Sequence, residues 1–226
     1  MRKFYFYITI LLLTGCSHSS TVKKLESNRT VSDIFDKSEI KDLAVIVDFF
    51  NGQICSSQKN VSQCYQRFFE WMKACEVKGD IDVNIPYGEQ QTMYSQLSEN
   101  TFNQVWRIDQ CRYRAIQNEA DTVEIINIAY AGKYLKFLKA FGKENSFVEL
   151  YSDRFEQMGL ISPSCFGMVI VEYKQFDVND IRIQLFLAMH YLTLNDENAE
   201  RKKLKPNTSY ENYRSGTLPK SSKELK

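Results

Sequence analysis

Residues 38 to 54, SEIKDLAVIVDFFNGQI, decide the fold class. Ile40, Leu43, Ala44, Val47, Phe50 and Ile54 recur at the three- and four-residue steps of one helical face. Val45, Ile46 and Phe49 make a second apolar face, so this helix is expected to be covered on more than one side and to lie inside the domain. Ser38 is the expected N-cap.

The helical pattern continues outward from that stretch. Residues 61 to 76 place Cys64, Tyr65, Phe68, Met72 and Cys75 on one stripe. Phe69 and Trp71 fall off it, either as a second contact face or as an exposed interaction surface. Pro86 can open a third helix ending near Leu97, and Ser98 can cap a fourth that holds Phe102, Val105, Trp106 and Ile108. Asp121 with Glu124, and Ser146 with Glu149, have capping-box spacing, and Gly142 and Gly159 follow as C-terminal stops. Ser162-Pro163 starts another helix, with Phe166, Val169, Ile170 and Tyr173 on one side. The last runs from about Asp180 to Lys203 and presents Ile181, Leu185, Ala188, Met189 and Leu192. The alternation IDVNI at 81 to 85 fits a short strand as well as a helix. Short connections predict antiparallel neighbours, hence an all-α domain of about seven helices packed as a bundle or short solenoid.

Both ends depart from this pattern. Residues 17 to 30, SHSSTVKKLESNRT, are polar without apolar periodicity and read as a flexible tether. Residues 206 to 226 are rich in Asn, Ser, Lys, Gly and Pro and read as a disordered basic tail, which leaves 31 to 205 as the expected helical domain.

At the start of the chain, Arg2 and Lys3 precede an apolar run from Phe4 to Leu13, followed by Thr14, Gly15 and Cys16. That run is too short to span a bilayer, which takes about 20 residues, and its order of charge, apolar core and small residues is that of a secretory signal over 1 to 15. Leu13-Thr14-Gly15-Cys16 resembles the lipobox of bacterial lipoproteins. The resemblance implies cleavage before Cys16 and diacylglycerol attachment to its thiol, so that Cys16 begins a membrane-anchored mature chain. Ser17, in place of aspartate at the second mature position, resembles the pattern sorted to the outer membrane, facing the periplasm.

Charge and cysteine content narrow the function. Residues 31 to 200 carry 16 Lys and Arg against 25 Asp and Glu, a net −9, while 201 to 226 carry 8 against 2, a net +6. An acidic body disfavours nucleic acid, whose phosphates demand a basic footprint. An exported chain can keep disulfides. Cys55 and Cys64, facing each other across a helical hairpin, are the first bridge expected. Cys75 with Cys111 is the second, leaving Cys165 as a buried small residue; five reduced thiols is the alternative.

Catalytic signals are sparse. The two histidines are His18, in the tether, and His190, flanked at helical spacing by Phe186, Leu187 and Leu194 as a core histidine would be. No HExxH, zinc-type cysteine spacing, GxGxxG, Walker A loop or GxSxG elbow occurs, so neither metal nor cofactor is expected and no catalytic residue is assigned. Glu89, after Pro86-Tyr87-Gly88, is the carboxylate best placed for general-acid chemistry, but its position reads first as a first-turn glutamate favoured by the helix dipole. The expected function is therefore a lipid-anchored helical module that binds a protein, either immunity- or inhibitor-like or an assembly accessory. The alternative is a glycan-directed hydrolase working through carboxylates.

Overall fold

The computed structural model of the chain describes residues 15–55, 60–78, 82–114, 120–160 and 163–203. The chain is mainly helical, as the sequence predicts, with one two-stranded sheet that it does not. In order, the elements are α1 (Gly15–Ser27), α2 (Arg29–Ser32), α3 (Lys37–Ile54), α4 (Val61–Lys78), α5 (Tyr87–Tyr94) and α6 (Glu99–Val105). The hairpin β1 (Trp106–Arg114) and β2 (Ala120–Ile128) follows, then α7 (Lys133–Gly142), α8 (Ser146–Met158), α9 (Pro163–Val171), a 3-10 turn (Tyr173–Gln175) and α10 (Ile181–Lys203). No helix among the described residues is long and apolar enough to cross a membrane. The expected C-terminal tail lies outside the described residues.

The centre of the molecule is α10, on which every residue from Ile183 to Asp196 is buried. A helix buried on all sides must find partners for its polar groups within the protein, and this one does so for Gln184, Thr193 and Asn195, although His190 Nε2 and the Tyr191 hydroxyl are buried without a hydrogen bond. Gln184 accepts from Asn51 Nδ2 at 2.9 Å, Thr193 accepts from Trp106 Nε1 at 2.9 Å, and Asn195 donates to the Ile85 carbonyl at 3.1 Å. The apolar faces pack α3, α1, α5 and β2 around it. Phe50 and Phe68 meet Tyr191 at ring separations of 6.0 and 4.7 Å, and each buried aromatic or aliphatic side chain of this kind contributes about 1.5–3 kcal/mol.

Helix α3 is the interior helix expected from residues 38 to 54, but its cap lies two residues earlier. Asp36 Oδ1 accepts from the backbone N–H of Ser38 and Glu39, and Glu39 returns a bond to the Asp36 N–H at 2.8 Å, completing a capping box. These donors hold the Asp36 carboxyl below its ordinary range. Asn145, one residue before the expected Ser146, likewise caps α8. Ser98 caps α6 as expected, and Gly159 ends α8 at φ 70°, a left-handed conformation that suits glycine.

Three expectations fail. Helix α6 stops at Val105, and Trp106 begins a strand, so the helix expected to run through Ile108 does not form. The Asp121/Glu124 pair stands within β2, opposite Tyr113 and Gln110, and not at the start of a helix. The reason is the β-branched run of Thr122, Val123, Ile125, Ile126 and Ile128, whose stiff side chains suit a pleated surface better than a helix. Third, the expected tether is helical as α1. Leu25 is wholly buried, Val22 packs on the core, and Thr21 donates to Asp48 of α3 at 2.6 Å. Two apolar side chains three residues apart leave little trace in a hydropathy pattern yet dock a helix. The segment 82 to 86 takes no regular structure, with Asn84 at φ 57°.

The Cys55–Cys64 bridge expected first is present across the α3–α4 hairpin. Closing a loop of this length stabilises by about 2.5 kcal/mol. Cys75 is a half-buried free thiol, so the second expected bridge, to Cys111, is not formed; Cys111's side chain lies outside those described. Cys165 is a buried thiol on α9, as expected.

Candidate interaction surface

The hairpin leaves the body where α6 ends. Ala129 N–H donates to the Val105 carbonyl at 2.8 Å, and the turn that follows brings Gly132 against the backbone of Gln104. Gln104 Oε1 in turn accepts from the Lys133 N–H at 3.1 Å at the start of α7. A cleft of about 340 Å³ opens at this joint, lined by Asn103, Gln104, Arg107, Tyr130 and Gly132 among others.

Arg107 and Tyr130 fasten the cleft to α8. The Arg107 guanidinium donates to the Gly159 carbonyl at 2.9 Å and to Asp109 at 3.0 Å, and Asn127 holds the same Asp109 oxygen at 2.9 Å. The Tyr130 hydroxyl donates to the Glu156 carbonyl at 3.2 Å. These bonds bring the C-terminal end of α8 beside the hairpin root. Beside it stand exposed apolar side chains: Tyr130, which lines the cleft, is 44 % exposed, and Met158 and Leu160, on either side of Gly159, are 59 % and 41 % exposed. Three large apolar side chains from two separate segments, tied to one cleft by these bonds, differ from exposed apolar residues scattered singly. Its polar floor supplies amides and a guanidinium already engaged by Asp109, a composition suited to a folded polypeptide face.

Gly132 sets the shape of this cleft. A Cβ at that position would stand 2.2 Å from the Gln104 carbonyl oxygen, a backbone atom that cannot swing away. Gly132→Ala is therefore expected to cost about 1–3 kcal/mol, read as a Tm lower by several degrees in a thermal melt.

The residues singled out from sequence fare differently. Phe69 is buried, stacked on Tyr173 at 4.9 Å, and belongs to the core and not to a surface. Trp71 is partly exposed at 37 %, on α4. Glu89 lies exposed in the first turn of α5 and accepts from Gln53 at 2.8 Å. Cys16 stands in the first turn of α1. His190 is a buried core histidine, sharing a 3.0 Å hydrogen bond with the Tyr151 hydroxyl; burial pushes its pKa down to about 3 and keeps it neutral.

One carboxylate that titrates above its ordinary range is one the sequence did not mark. Asp196 is buried, accepting from the Ile126 N–H at 3.2 Å and from Gln91 at 3.3 Å, so it ties both the hairpin and α5 to α10. Burial, with Glu200 nearby, raises its pKa to about 6. Tyr87 stands beside it, donating to Glu200 at 2.9 Å, and burial lifts its hydroxyl well above the usual range. With 1 % exposure, Asp196 works as an internal fastener. No protein-family model, curated protein or solved structure matches this chain.

Proposed function

We propose that the chain is a lipid-anchored lipoprotein of the bacterial envelope, held at the outer membrane facing the periplasm, whose helical body binds a protein partner. The signal-like residues 1 to 15 and Cys16 support the anchor. The observation that carries the binding reading is the set of exposed apolar side chains Tyr130, Met158 and Leu160 beside the hairpin-root cleft. The acidic body favours a cationic partner, because complementary charge steers encounter and sets specificity. A toxin neutralised by an immunity protein and a subunit of an assembly machine both fit that description, and the identity of the partner chooses between them.

Affinity capture from envelope extracts tests the reading. The processed chain is expected to retain one protein in stoichiometric amount. Met158→Asp with Leu160→Asp is expected to weaken that retention about thirtyfold or more, as loss of an interface centre does, while Trp71→Asp leaves it unchanged. Retention of glycan with no protein, or equal retention by all three chains, would contradict it.

A further inference from the structure

The anchor and the body are joined by a helix packed into the core, and the direction of that helix orients the molecule. Helix α2 follows α1 after the single residue Asn28 and packs on α7. The first residue of α7, Lys133, is bonded to Glu39 in the first turn of α3. The C-terminal end of α1 therefore lies at the N-terminal end of α3, and α1 runs antiparallel to it. Thr21 meets Asp48. In that register the start of α1 falls level with the last turn of α3, near Gly52 and the Cys55–Cys64 bridge.

The cleft occupies the opposite end. Gln104 and Gly132 sit against Lys133, at the level of Glu39. From residue 39 to residue 52 the helix rises about 20 Å. From Cys16 to the buried Leu25 the rise along α1 is about 14 Å, which gives the acyl end little room to swing.

We propose that the mature protein stands on the membrane by the end that carries the Cys55–Cys64 bridge and holds the hairpin-root cleft away from the bilayer. This inference rests on lipidation of Cys16.

The test uses the full lipidated chain in vesicles of phosphatidylethanolamine and phosphatidylglycerol doped with a nickel-chelating lipid. A nitroxide is attached in a Cys75→Ser, Cys111→Ser background at Gly52→Cys, where an added Cβ meets nothing within 4 Å, and separately at Tyr130→Cys and at the exposed Lys41→Cys. Relaxation of the label at 52 by the surface nickel is expected to exceed that at 130 and at 41 by about threefold or more, given the 20 Å offset. The two distal positions serve as independent controls should one variant fail to fold. Equal relaxation at all sites, in a chain whose intact mass carries the acyl groups, would overturn the fixed orientation and leave lipidation standing. Stronger relaxation at 130 would reverse the orientation. A mass without acyl groups would overturn the lipid reading and this inference with it.

Discussion

Replacing Lys133 by methionine is expected to destabilise the protein by about 3–5 kcal/mol, the range found when one partner of a buried ion pair is removed. Glu39 has no exposed surface, and Lys133 Nζ donates to both of its oxygens, at 2.6 and 2.8 Å. Asn100 Nδ2 and the Asp36 N–H complete its shell. Without Lys133, two neutral donors would have to hold a buried carboxylate. The position is also unfavourable for a cation on its own account, because Lys133 opens α7, where the helix dipole is positive. The carboxylate opposite is what makes a lysine acceptable there. Urea denaturation at neutral pH checks the value, and Lys133→Met combined with Glu39→Leu should recover most of the loss, since an apolar pair in the same volume is often neutral or better. A single substitution costing under about 1 kcal/mol would show that the pair does not hold α3, α6 and α7 together.

The second large effect is a pH dependence with two opposing parts. His190 has a folded pKa of about 3 against an ordinary 6.5, so the stability it contributes is complete above the unfolded value and is lost as pH falls toward 3. Between pH 7 and pH 4 this amounts to about 3 kcal/mol lost. Asp196 acts in the other direction. Its folded pKa of about 6 lies above the ordinary 3.8, so it favours the folded state at low pH, and that contribution disappears as pH rises through 6. Over the same interval acidification through Asp196 regains about 2–3 kcal/mol. The wild type therefore loses less on acidification than its buried histidine alone would dictate. Asp196→Asn, which keeps an acceptor for the Ile126 N–H, is expected to lose about 2–3 kcal/mol more than the wild type between pH 7 and pH 4 in urea titrations. Parallel pH profiles for the two chains would contradict this account of Asp196.

These two sites mark the boundary of what the sequence discloses. The interior helix at residues 38 to 54, the α3–α4 hairpin with its bridge, and the helix after Ser98 follow from periodicity, caps and cysteine spacing, all local signals. Even the cap of α3 was legible, since Asp36 and Glu39 have capping-box spacing, but Ser38 competes for the role at the same helix start. The β-hairpin was obscured because Asp121 and Glu124 mimic a helix cap, and the β-branched residues that follow continue an apolar pattern open to either reading. Asp196 and Glu39 look like solvated charges in any window of sequence. Only the long-range partners Ile126, Gln91 and Lys133 show that they are interior fasteners.

The candidate site was hidden for the same reason. Phe69 lies off the main stripe of α4, which leaves a second contact face and an exposed surface both open, and the packing of Tyr173 and Phe176 makes it the former. Tyr130, Met158 and Leu160 belong to two stretches of chain and converge through the Arg107–Gly159 and Tyr130–Glu156 bonds. In the sequence, Met158 falls in the last turn before a glycine stop and does not stand out.

The binding reading is tested most directly by photo-crosslinking in living cells, with a light-activated side chain placed at Tyr130 in one strain and at Trp71 in another. The account predicts that the chain labelled at 130 joins a single protein and that the chain labelled at 71 gives none. Crosslinks formed from 71 alone, or none from 130 in a chain that is folded and present at its normal level, would contradict it.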